Sequence, residues 1–264
     1  MWLRDYSDSG FVAMMKEYSA HFDASGHSSQ HRVITVAGCV STVEKWSNFQ
    51  PQWNAILEDD GLPKGTIFHM TDFATCKRAF KIYSGKPAKK ARLVENLAGC
   101  LKRNVNKLFS VGIVVPHYNR LDSIFELHET LGHVSAFAGM MCIEKTMKWK
   151  RKQKGSRIEF FFEDGDEFFM ELKRISQKVH GVTPMQRTKE EMVQFQACDL
   201  IAWKNRMAIT EAKEAASKDF RAIESLNRSI ALIESIPNDF GVFDGPELRK
   251  MCNSGTIPKR QSVA

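Results

Sequence analysis

Two strand-like runs stand close together before any helical run, and later strand-like runs are separated from one another by helical ones. That order admits few folds. The first run is Tyr18 to Asp23, closed by Ala24-Ser25-Gly26, small residues of the kind that end a strand. The second is Arg32 to Ser41 (R-V-I-T-V-A-G-C-V-S), rich in β-branched residues. Only a polar His-Ser-Ser-Gln-His loop lies between them, so an antiparallel hairpin is the economical pairing. Thr42 then caps a helix from Val43 to Glu58, with Trp46, Phe49, Trp53, Ile56 and Leu57 along one face. Pro51 is expected to kink or split it.

Ile67 to Phe73 is too short for a helix and reads as a short strand or ordered loop. Lys89 to Asn106 is an amphipathic helix, and Leu108 to Val115 a buried strand ended by Pro116. A helix spans Thr130 to Lys152; its apolar centre is expected to cross the core, and its basic end suits a helix C-terminus. Arg157 to Glu163 (R-I-E-F-F-F-E) is the next strand, followed by a helix from Glu167 to Val179 that stops at Gly181. Val193 to Met207 is helical with a wide apolar face. Residues 208–236 read as a polar helix pair or one long helix, and the last stretch as a loosely held end. The expectation is an α/β domain over 1–207, a mixed sheet covered on both faces by helices, with a helical C-terminal extension and tail over 208–264.

Composition bounds the class. A chain of 264 residues, 43% hydrophobic and 26% charged, is neither a disordered tail nor a collagen-like repeat nor a disulfide-stapled mini-protein. Its six cysteines never form a C-x-x-C pair, which fits reduced thiols in a reducing cytoplasm. The first residues lack the basic-then-apolar order of a signal peptide, and no apolar run approaches the ~18 residues of a membrane helix. A soluble cytoplasmic protein without a membrane partner is expected. The net charge of +7 leans toward a polyanionic partner.

Three acids stand where acids are awkward: Asp23 at a strand end, Glu163 after Phe160-Phe161-Phe162, and Asp199 inside Ala197-Cys198-Asp199-Leu200-Ile201-Ala202. A carboxylate there is costly unless it is paired or bound to metal. Strand ends and a packed helix can bring such groups into one crevice, with Asp72 as a fourth member. An oxygen-only cluster favours Mg²⁺ or Mn²⁺, and two such ions about 4 Å apart support in-line hydrolysis of a phosphodiester. The alternatives are a turn role for Asp23 and Asp72, a turn or cap role for Asp164 and Asp166, and a buried pair with Lys204 or Arg206 for Asp199. His21, His27 and His31 are a rival zinc cluster without a matching cysteine. No phosphate-binding loop, dinucleotide fingerprint, H-E-x-x-H or G-x-S-x-G is present. Candidate substrate contacts are Ser25, His69 and Gln196, with Lys89, Lys90, Lys150 and Arg151 from two basic stretches.

The order Y-x-x-x-F-D-A-S-G, V-A-G-C-V, W-x-x-F-x-x-x-W, F-H-M-T-D-F, F-F-F-E-D-G-D and F-Q-A-C-D-L-I-A-W resembles the uncharacterised bacterial family known as domain of unknown function 3800. The resemblance spans about Tyr18 to Met207 and implies a divergent ribonuclease-H-like domain. It implies Asp23, Glu163 and Asp199 as metal ligands and matches Asp72 to the family's F-H-M-x-D element. Where relatives carry Glu after the first Asp, this chain has Ala24. The expected activity is that of a divalent-metal-dependent nuclease or phosphodiester hydrolase acting on DNA or RNA. The alternative, which Ala24 favours, is a catalytically silent protein that binds nucleic acid or protein on the same fold.

Overall fold

The front hairpin seeds the sheet. A computed structural model describes residues 17–153, 156–165, 168–213 and 227–260. Strand β1 (Glu17–Ser25) pairs antiparallel with β2 (Val33–Thr42), which sets Tyr18 opposite Thr42 and Asp23 opposite Ala37. Strand β3 (Lys107–Val114) extends the meander antiparallel to β2. Strand β4 (Arg157–Glu163) then joins the other side of β1 in parallel, and β5 (Met185–Arg187) joins β4 in parallel. A sixth strand, β6 (Asn238–Phe243), lies parallel to β3, giving the order β5-β4-β1-β2-β3-β6. This mixed sheet flanked by helices, a three-strand meander extended by parallel strands at both sides, is the α/β architecture expected.

Alternation along the strands sorts the two cores. Tyr18, Ala20 and Phe22 face one side, with Phe160 and Phe162, against α6 (Val134–Lys150) and α7 (Phe169–His180). Ala37 and Cys39 face the other, against α1 (Val43–Asp59), α3 (Pro87–Asn104) and α8 (Gln194–Lys213). Shorter helices complete the layers: α2 (Met70–Ala74), α4 (Val115–Asp122), α5 (Leu127–Leu131), α9 (Asn227–Glu234) and α10 (Gly245–Met251). Among the described residues no helix is long and apolar enough to cross a membrane, and none of the six cysteines forms a disulfide.

Four local expectations are corrected. Thr42 caps α1 as expected, accepting from the Lys45 N–H, but α1 continues through Pro51. Pro51 and Ser47 are both exposed, so the carbonyl that loses its donor lies on the solvent side. Ile67–Phe73 is a loop leading into the single turn of α2. The helix expected over Thr130–Lys152 is two helices, because Gly132 takes φ 82°, outside the helical range, and His133 starts α6 afresh. Among its described residues the C-terminal region is helical in part, and 227–260 is not a loose tail. It supplies β6 and inserts Leu248, Cys252 and Ile257 into the α6 core.

Candidate active site

Parallel pairing of β1 and β4 puts Phe22 opposite Phe162, so the next residues, Asp23 and Glu163, leave the sheet side by side at the same end. Helix α8 packs across β1 and β2 and carries Asp199 beneath that end. Three elements distant in sequence thereby deliver three carboxylates to one lysine. Asp23 and Asp199 are each only 5% exposed. Asp23 Oδ1 accepts from the Ala24 N–H at 2.7 Å, and Asp199 Oδ2 from the Met70 N–H at 2.9 Å.

The point the acids share is held by Lys189. Its Nζ lies 2.9 Å from Asp23 Oδ2, 3.4 Å from Asp199 Oδ2 and 3.9 Å from Glu163 Oε1. Burial pushes the Asp23 carboxyl up to about 8; Lys189 pulls against this, while Asp199 and Glu163 add to it. Burial also raises Glu163, again against Lys189. Burial alone would lower the Lys189 ammonium, but Asp23, Asp199 and Glu163 outweigh it and hold it above its ordinary value. The pairing foreseen for Asp199 with Lys204 or Arg206 is not made. Lys204 pairs with Glu234 at 2.9 Å, and Arg206 Nε donates to Ser25 Oγ at 3.0 Å.

A crevice of about 650 Å³ opens over the cluster. Its far wall is the loop around α2. There Asp72 Oδ2 lies 3.3 Å from Arg78 and 3.9 Å from His69 Nδ1, and His69 Nε2 reaches to 3.8 Å from Asp199 Oδ2. Asp72 therefore joins the crevice through His69 and Arg78 and stands apart from the Lys189 cluster. Arg78 itself has a largely exposed side chain on a backbone with φ 50°, and Cys76 beside it has φ 52°. Two non-glycine residues in the left-handed region mark a loop held in a costly conformation.

The remaining expected contacts divide. Ser25 and His69 line the crevice. Gln196 does not: its buried Oε1 accepts from Trp53 Nε1 at 3.0 Å and the Phe68 N–H at 2.8 Å, tying the crevice loop to the core. Lys89 lies 3.7 Å from Asp60, and Lys90 donates to the Ala74 carbonyl at 2.7 Å, so both brace α3 against its neighbours. Lys150 and Arg151 end α6, where Trp149 packs on Tyr18 at 5.2 Å between centroids. Tyr18 is five residues from Asp23, ~17 Å along an extended strand. The two basic residues thus belong to the opposite end of the sheet. Asp164 is an exposed turn residue whose carboxylate accepts from the Gly165 N–H, and Asp166 lies outside the described residues.

The zinc alternative also falls. His21 is buried, stacks on Phe161 at 5.2 Å and shares a hydrogen bond with Ser19 at 3.0 Å; burial lowers its pKa to about 3. His31 Nδ1 accepts from the His27 N–H in the hairpin loop. Among the described residues no three His, Cys, Asp or Glu side chains stand at metal-ligating spacing. The point the three central acids share is held instead by the Lys189 ammonium. Their chemistry nonetheless suits a hard divalent ion: all donors are carboxylate oxygens, and they already face a cation, the Lys189 ammonium, 2.9 Å from Asp23 Oδ2.

Sequence reasoning missed Lys189, which sits in a polar Thr-Lys-Glu-Glu run without periodicity, and Arg78, one basic residue among several in K-R-A-F-K. No protein-family model and no curated protein sequence matches this chain. Among solved structures it is similar to a chain of the PCNA:RNase HII complex from Archaeoglobus fulgidus. The similarity covers 83% of this chain and 93% of that one at 14% identity and a TM-score of 0.42.

Proposed function

We propose that the protein is a divalent-metal-dependent phosphodiester hydrolase acting on nucleic acid, DNA or RNA. The observation that carries this reading is the convergence of Asp23, Glu163 and Asp199, from two strand ends and a helix, in an open polar crevice. The resemblance to domain of unknown function 3800 supports the same three residues. Asp23, Glu163 and Asp199 would hold Mg²⁺ or Mn²⁺, which when bound lowers the pKa of water and stabilises charge on a phosphoryl oxygen. The chain's own groups do the rest. Arg78 projects from the crevice wall with donors suited to a phosphate oxygen, restrained by Asp72. His69 lies between Asp72 and Asp199, within reach of a proton acceptor on either side. The buried side of the cluster excludes bulk water, which strengthens each of these electrostatic contacts.

The test is cleavage of single- and double-stranded DNA and RNA with Mg²⁺, Mn²⁺ or EDTA. Metal-dependent cleavage that Glu163→Gln abolishes supports the reading; no cleavage of any polymer with either metal rejects it. One observation favours a second reading, a catalytically silent nucleic-acid-binding protein: Lys189 already neutralises part of the acid cluster. Salt-sensitive binding without turnover, unchanged by Asp23→Asn, would select it. The unpaired thiols fit a reducing compartment such as the cytoplasm.

A further inference from the structure

Asp23, Ala24, Gly26 and Glu163 line a second cavity as well as the crevice. This one, of about 260 Å³, lies on the α6 and α7 side of the sheet end, and its chemistry differs. Its inner walls are Phe162, Phe168, Phe169 and Leu172. Among the described residues no lysine or arginine lines it, whereas the crevice has Lys189 and Arg78. Its polar groups are the two shared carboxylates, His27, and the hydroxyl-bearing Ser28 and Ser135. Beside it His133 lies flat on Phe168, with ring planes 9° apart. His133 Nδ1 accepts from the Ser135 N–H and its Nε2 meets Ser28 Oγ at 3.1 Å. Burial lowers this imidazole to about 4, so the ring is neutral at pH 7.

An anion has no counter-charge here and two carboxylates against it. A flat uncharged group has aromatic faces to stack on, and carboxylates and hydroxyls to take its N–H donors. The volume equals about nine waters at ~30 Å³ each, room for one ring system. The two cavities share Ala24, a methyl group, and Gly26 in their linings; at Gly26 a Cβ would stand 2.7 Å from the Val33 carbonyl oxygen at φ +96°. Gly26 therefore cannot carry a side chain onto the shared rim, and Ala24 carries the smallest one.

We infer that this cavity is a subsite for the base of a nucleotide whose phosphate lies in the crevice. The subsite rests on the hydrolase reading for its neighbour but is tested by binding alone. Titration calorimetry of the full chain with cytidine and adenosine 5′-monophosphates, against ribose 5-phosphate, in Mg²⁺ buffer isolates the contribution of the base. At least one nucleotide should bind roughly tenfold or more tightly than the sugar phosphate, the scale of one base stacked on aromatic side chains. Phe168→Ala, which removes one wall, should reduce that preference to about nothing and leave ribose 5-phosphate binding as it was, and Ala24→Leu, which places a larger side chain on the shared rim, should reduce the preference as well. Equal affinities in the wild type, no binding of either nucleotide, or a base preference that survives both substitutions overturns the subsite. Polymer cleavage by the same preparations separates the two ideas. Base preference without cleavage keeps the subsite and removes the hydrolase, and cleavage without base preference does the reverse.

Discussion

The two ends of the β1–β4 pair carry opposite charge in opposite ways. At one end Asp23, Glu163 and Asp199 crowd around a single lysine that is 8% exposed, and each comes from a different element. At the other, Lys148, Lys150 and Arg151 follow one another on the last turns of α6, around a Trp149 packed on Tyr18. The basic end was conspicuous in the sequence because its charges are neighbours in the chain. It is also where charge is inexpensive, being solvated and favoured by the helix dipole. The acid end is scattered over 177 positions of sequence, and burial makes its charges interact strongly. Charges that the fold gathers against the cost of desolvation are the better guide to chemistry.

That contrast breaks or sharpens in order of effect. Asp199→Ala should lower metal-dependent cleavage by on the order of a thousandfold, the scale of losing a charge-stabilising group from a closed site, with far-UV circular dichroism unchanged. Retained activity would reduce the acid end to a structural cluster. Lys189→Met should cost about 3–5 kcal/mol of stability in EDTA, because it strands buried carboxylates without their counter-charge. Urea titrations with and without Mg²⁺ should show the ion restoring more of the variant's stability than it adds to the wild type. Arg78→Ala should lower kcat/KM about tenfold, the loss of one charge-assisted contact, read from cleavage kinetics.

The pH dependence of stability adds a test with a definite sign. Asp23 rises from 3.8 to about 8 on folding, so its protonated form is the one the fold favours. Its contribution is fully present below about pH 4 and is lost as pH rises toward and through about 8. In EDTA, wild-type stability should therefore decline across that window, and Asp23→Asn should flatten the decline. The smallest effect is expected at the basic end. Lys150→Glu with Arg151→Glu should shift stability by no more than about 0.5 kcal/mol each and leave cleavage within roughly twofold.

What was legible follows from the range of the interactions. Asp199 was readable because an acid amid Ala, Cys, Leu and Ile has few explanations, and Glu163 because three phenylalanines precede it. The hairpin was readable because its partners are adjacent. Gln196 was misread: a polar residue on an apolar helix signals a buried partner without saying whether that partner is substrate or, as here, Trp53 and the Phe68 backbone. Lys189 gave no signal, since its three partners are 10, 26 and 166 positions away and its own neighbours are polar. Gly132 and the non-helical cap His133 divide α5 from α6, a break that a run of helix-forming residues on either side concealed. Strand β6, N-D-F-G-V-F, looked like a loose end because its pairing partner lies about 130 residues earlier.

That last strand has a consequence for how the molecule behaves in a crowd. Without Asn238–Phe243, β3 would present an unpaired row of N–H and C=O groups over its buried Phe109, Val111 and Ile113, a template for strand addition by another copy. With it, the outermost strand is six residues long and carries Asp239, locked to Lys145 at 2.5 Å across the sheet edge. The open row is thereby shortened from the eight residues of β3 to six, with an ion pair beside it, which disfavours strand addition by another copy.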